Sequence, residues 1–141
     1  MKKIYSGCLA LFLLFVSFAQ AQVTPSTALQ SYLHNGDKTF KWEVKDTYDL
    51  GDVKAYALLL TSQQWREHIW THQLTILVPK ENAHDGALLF ITGGSIKGGL
   101  PNWNGRDDKF NKELAGMALK NKAIVAVLRQ TPNQPLYNDL T

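Results

Sequence analysis

The stretch Gly86-Ala-Leu-Leu-Phe-Ile-Thr-Gly-Gly-Ser-Ile-Lys-Gly-Gly99 holds the most suggestive chemistry in the chain. An apolar run, Ala87 to Ile91, ends in Thr92 and then in Gly93-Gly94-Ser95, where small residues leave backbone N–H groups uncovered. Such a turn can bind an anion or hold a developing oxyanion. The plainer reading is a tight turn that needs positive φ. Ser95 stands ahead of a long loop, and the chain contains no G-x-S-x-G nucleophile elbow, so Ser95 is not read as a nucleophile.

The remaining candidates each have a structural reading beside the functional one. His68 and His72 are four apart, the spacing of metal ligands on one helix face. Their segment leads into a strand and no third ligand is evident, so they read as polar residues at a sheet edge and no metal site is predicted. His34 and His84 read as solvated. Trp42, Trp65, Trp70 and Trp103 could form a sugar- or ligand-binding surface, but tryptophans in β ribbons more often pack. Asp107 and Asp108 read as helix caps and not as a paired acid and base. Arg129 closes a predicted parallel strand, the end at which ligands bind in open α/β sheets. An ion pair with a residue outside the chain explains it as well. No cofactor motif is found.

The elements that must position these residues follow from periodicity. A short amphipathic helix is predicted between Ser26, as N-cap, and Gly36, with Leu29, Tyr32 and Leu33 on one face. Phe40, Trp42 and Val44 alternate with Lys41, Glu43 and Lys45, the pattern of a half-buried strand. Leu50-Gly51-Asp52 is a turn, Val53 to Thr61 a second strand, Gln63 to Glu67 a break, and Thr71 to Val78 a third strand closed by Pro79. These strands should form an antiparallel ribbon. The run 87–91 reads as a strand buried on both faces. Ile96 to Asp108 is a loop. A helix with Phe110, Leu114, Met117 and Ala118 on one face runs to near Asn121, and 123–128 is another apolar strand. Strand, helix and strand at this spacing make a βαβ unit with parallel strands. The fold class is α/β.

The first 21 residues address the chain and do not belong to its fold. Lys2 and Lys3 precede an apolar stretch from Leu9 to Phe18, and Ala19-Gln20-Ala21 supplies the small residues that a signal peptidase reads. Residues 1–21 are therefore a signal peptide, cleavage falls before Gln22, and the product is exported to the periplasm or beyond the cell. The apolar stretch is shorter than the ~20 residues of a spanning helix, so no stable membrane anchor is expected. Cys8 precedes the apolar region, which disfavours a lipoprotein. The whole sequence has 15 basic and 12 acidic residues, and losing Lys2 and Lys3 leaves 13 against 12. That balance offers no reason to propose a nucleic-acid partner. Cys8 is the only cysteine, so the mature chain has no disulfide. Residues 22–141 suffice for one small domain. Two strands this apolar need cover on both sheet faces, and the two helices do not supply it. The sequence thus reads as the first part of a larger domain.

With these elements in place, the chain resembles the N-terminal part of an α/β-hydrolase. It is similar in particular to the PhoPQ-activated pathogenicity-related family. The resemblance rests on Thr27-Ala28-Leu29 with Tyr32, Leu60-Thr61-Ser62-Gln63 with Trp65, Trp70-Thr71-His72 leading into Leu74-Thr75-Ile76, Gly93-Gly94-Ser95, and Leu128-Arg129-Gln130 with Pro132-Asn133-Gln134-Pro135-Leu136. It implies that Gly93, Gly94 and Ser95 occupy the loop that donates a backbone N–H to an oxyanion hole. It further implies that nucleophile, acid and histidine would lie beyond Thr141, that a fragment ending there would be inactive alone, and that the family-length protein would act on a small-molecule or peptide substrate. The alternative is a small secreted, non-catalytic binding or signalling module.

Overall fold

The computed structural model describes residues 23–131. The predicted signal peptide and the Pro132–Leu136 run lie outside the described residues. The chain divides into two compact units, one ending at Gly36 and one beginning at Asp37.

In the first unit, helix α1 spans Ala28–Leu33, shorter than its pattern suggested. Its N-cap is Thr27, not Ser26, and no side chain caps it. The Thr27 hydroxyl instead accepts from the Thr24 N–H at 3.0 Å, so it turns away from the helix. Leu29, Tyr32 and Leu33 are exposed.

The second unit is a mixed five-stranded sheet with one helix on one face. Strands β1 (Lys41–Leu50), β2 (Val53–Trp65) and β3 (His68–Pro79) are successive antiparallel neighbours. Gly51 makes the first turn at φ +64°, a conformation that costs glycine nothing. β2 runs on through Gln63–Trp65, where a break was expected. A register shift between Thr61 and Gln63 skips Ser62, and this bulge inverts the alternation that makes a strand legible. After β4 (Ala87–Ile91), the expected loop contains a small hairpin, β5 (Ile96–Lys97) and β6 (Leu100–Pro101). Gly98 and Gly99 both take positive φ in its two-residue turn.

Helix α2 (Lys109–Asn121) then returns the chain to β7 (Ile124–Leu128). β7 inserts between β3 and β4, giving the order β1-β2-β3-β7-β4, and pairs parallel with β4 as the βαβ spacing predicted. Asp108 is the N-cap, accepting from the Asn111 N–H at 2.8 Å, and Lys122 ends the helix in the left-handed region at φ 48°. The helix buries Asn111, Leu114, Ala115 and Ala118, a face rotated away from Met117, which is exposed. Ala115 and Ala118 allow close approach to Leu77, Val125 and Val127, and Tyr48, Val53, Ala55 and Ala57 complete this core. Among the described residues no helix is long and apolar enough to cross a membrane.

Two expectations about burial fail for one reason. Strand 87–91 was read as buried on both faces, but it is the sheet's edge strand; Leu89 is 51% and Ile91 60% exposed. Phe90 alone among its large side chains turns inward, edge-on to Phe110 with ring centroids 6.2 Å apart. Phe40, Trp42 and Val44 do share a face as their alternation required, but Trp42 is 61% exposed. They continue into Tyr56, Leu58, Leu60, Leu74 and Ile76, an apolar surface on the side of the sheet away from α2. α2 covers one face, and no described element of this second unit covers the other.

Candidate functional site

The Gly93–Ser95 loop lies at the carboxyl ends of the two parallel strands, where a sheet of this kind presents its ligand-binding end. Its neighbour is the segment that follows β7. The Thr92 N–H donates to Leu128 O at 2.9 Å, Gln130 N–H to Gly93 O at 3.3 Å, and Thr131 N–H to Thr92 O at 3.2 Å. Leaving β7, Arg129 N–H donates to Gln73 O on β3 at 3.0 Å. The carboxyl ends of β4 and β7 and the middle of β3 are thus stitched together by main-chain bonds.

Glycine at 94 is explained by close approach, not by the positive φ of a tight turn. Gly94 does not occupy the left-handed region, but a Cβ placed on it would fall 2.7 Å from Gln130 Nε2 and 3.1 Å from the Gln130 backbone nitrogen. The strained residue is Gln130 itself, fully buried at φ 60°. A non-glycine residue in that region is uncommon and costs free energy unless its surroundings over-determine it. Those surroundings include the Gln73 N–H, which donates to Gln130 Oε1 at 2.9 Å.

Gln73, also fully buried, grips Asn104, beyond the β5–β6 hairpin. Its Nε2 donates to Asn104 O at 2.7 Å, and its Oε1 accepts from the Asn104 N–H at 2.8 Å. This two-point clamp satisfies a buried amide that would otherwise be costly. Ser95 O accepts from the Asn102 N–H at 2.8 Å, and Ser95 Oγ from Asn102 Nδ2 at 3.2 Å. The Ser95 hydroxyl is therefore engaged with an amide.

Arg129 pairs within the chain. Its Nη2 lies 2.9 Å from Asp108 Oδ1 and 3.2 Å from Asn111 Oδ1, with the guanidinium over the Phe110 ring at 5.6 Å. Asp108 thus caps α2 and holds Arg129 at once. The four-residue spacing of His68 and His72 does not make a metal site, because four residues along a strand span about 13 Å. His68 stacks on Trp65 with centroids 6.4 Å apart. His72 is not at an edge; it is buried, 4% exposed. Its Nδ1 donates to Arg129 O at 3.1 Å, which leaves Nε2 to accept from the Ser62 hydroxyl at 3.0 Å. Burial pushes the His72 imidazolium below its ordinary range, partly offset by the Arg129 and Gln130 main chain. The Ser62–His72 distance is that of a nucleophile and base. The ring is oriented by a carbonyl and closed off from solvent, and the pair ties the β2 bulge to the segment after β7.

Sequence reasoning placed Gly93–Ser95 at a strand's carboxyl end but missed the two glutamines that hold it. Gln130 stood in a run singled out by resemblance, with nothing to announce its backbone conformation. Gln73 sat in an ordinary strand alternation.

The arrangement defines a mixed α/β protein with a glycine-rich loop at the carboxyl end of its parallel strand pair. Residues 29–141 match the PhoPQ-activated pathogenicity-related protein family, to which the chain belongs. Autocrine proliferation repressor protein A of Dictyostelium discoideum is 29% identical over 116 residues, covering 79% of this chain and 22% of that protein. The chain therefore spans about a fifth of that relative's length. No solved structure matches it.

Proposed function

We propose that this chain is the exported N-terminal part of an α/β-hydrolase-like protein, and that Gly93–Ser95 forms one side of its oxyanion hole. The observation that carries the reading is the strand, loop and helix order of β4, Gly93–Ser95 and α2, with the loop at the carboxyl end of a parallel strand. That is where α/β-hydrolases take one of their oxyanion N–H donors. A preorganised donor there would stabilise the charge on a carbonyl oxygen under attack, and losing one such donor costs about 3 kcal/mol of barrier. The nucleophile, acid and histidine belong, on this reading, to the rest of the family-length protein, whose substrate is a small molecule or peptide. The uncovered apolar sheet face supports the same view, because a face so apolar calls for further polypeptide against it.

Ester hydrolysis tests this. The chain alone should turn over a simple ester no faster than its Gly94→Pro variant. A family-length protein carrying this segment should hydrolyse the ester and be labelled by a fluorophosphonate, and Gly94→Pro should abolish turnover. Turnover by the chain alone, or an unreactive family-length protein, would sink the proposal. The second reading is a secreted, non-catalytic binding module that uses the face around Trp42. A folded, soluble monomer that shows no such chemistry at either length would favour it.

A further inference from the structure

Three buried observations converge on one residue outside the loop. Gln130 is fully buried and holds a left-handed backbone at φ 60° without being glycine or asparagine. Its side chain lies so close to Gly94 that a single methyl group there would meet Nε2 at 2.7 Å. Its Oε1 is braced by the Gln73 N–H at 2.9 Å, while its own N–H donates to Gly93 O at 3.3 Å. Core packing alone does not call for this. A buried amide at a strained position is an expensive way to fill space, and a leucine would fill it without a polar group to satisfy.

We infer that Gln130 is a positioning residue for the Gly93–Ser95 loop. Its main chain and carboxamide set the path of the loop backbone, and Gln73 transmits the rigidity of β3 to it. The left-handed turn at Gln130 brings the side chain back over Gly94 instead of continuing along β7. An extended residue would carry the amide away from the loop. Gln73 binds both the Gln130 carboxamide, through its N–H, and Asn104, through its side chain. The chain is therefore held at Gly93–Gly94 by Gln130 and again, after the β5–β6 hairpin, at Asn104 by Gln73. This assignment rests on the oxyanion reading for its catalytic consequence, but not for the positioning itself.

The test separates positioning from stability. Gln130→Gly relieves the backbone strain and removes the amide, so the full chain should be no less heat-stable than Gln130→Ala. Both variants should nonetheless shift the amide resonances of Gly93, Gly94 and Ser95 and speed their hydrogen exchange at least about tenfold, with core amides of β3 and β7 other than that of Gln73 unmoved. Gly94→Ala should disturb the loop in the wild-type background and do so less in Gln130→Gly, where the contacts with the residue-130 side chain are gone and only the 3.1 Å approach to its backbone nitrogen remains. Loop amides that exchange as in wild type in Gln130→Gly would overturn the inference, as would a Gly94→Ala effect indifferent to residue 130. In the family-length protein, Gln130→Gly should lower kcat about 100-fold with little change in KM. If that protein has no hydrolytic activity, the oxyanion reading fails while the exchange data still decide the role of Gln130.

Discussion

Asp108 performs two tasks, and its removal should cost more than either alone. Its carboxylate caps α2 through the Asn111 N–H at 2.8 Å and receives Arg129 Nη2 at 2.9 Å on the same oxygen. Losing an N-cap costs about 1 kcal/mol. Stranding a buried charge costs roughly 3–5 kcal/mol. The lower end applies here, because the Arg129 and Asp108 side chains remain 11% and 17% exposed and Asn111 Oδ1 still accepts at 3.2 Å. Asp108→Ala should therefore destabilise by about 3–4 kcal/mol, lowering Tm by roughly 10–20 °C in a domain of this size. Asp108→Asn retains the cap and should cost about 1–3 kcal/mol. Urea and thermal unfolding followed by circular dichroism measure both. The decisive quantity is the double-mutant cycle with Arg129→Met, for which a coupling on the order of 2 kcal/mol is expected. A coupling below about 0.5 kcal/mol, or an Asp108→Ala cost below about 1 kcal/mol, would refute the dual role.

Other consequences are equally open to measurement. His72 is buried neutral, with its pKa depressed below the ordinary 6.5. The unfolded chain then binds more protons in that window, so stability present above about pH 6.5 should fall as pH drops toward the folded value. His72→Gln should flatten that part of a urea-midpoint profile, and an unchanged slope would show that another group carries it. Leu77 is fully buried beneath α2, and Leu77→Ala should cost about 2–5 kcal/mol by leaving a cavity. A loss under about 1 kcal/mol in urea would mean the helix does not pack there. Trp42→Lys on the open sheet face should change stability by no more than about 0.5 kcal/mol. It should also reduce binding of an apolar dye; a loss of several kcal/mol would show that this face is covered in solution.

The antiparallel ribbon, the βαβ unit and the glycine loop at a strand's end were all legible before the structure, because each has a local signature. Alternation marks β1, apolar runs of strand length mark β4 and β7, and Asp108 ahead of a helical period marks the start of α2. Legibility ended where a single residue shifted phase. The Ser62 bulge hid the last residues of β2, and the buried Asn111 and Ala115 drew the helix face away from Met117. Burial was misjudged wherever composition stood in for position. The run at 87–91 is as apolar as the one at 124–128, yet β7 is central and β4 is an edge.

Hydrophobic period and turn chemistry are properties of neighbouring residues, so β1, β3, β4, β7, α2 and the glycine loop after β4 could be read from the sequence, while the β5–β6 hairpin and the end of β2 could not. Strand order, the buried pairing of Arg129 with Asp108, and the contact between Gln130 and Gly94 join residues distant in the chain, 21 positions apart for Arg129 and Asp108. Only the insertion of β7 between β3 and β4 brings these partners together, since no local preference encodes which distant backbone will lie against which.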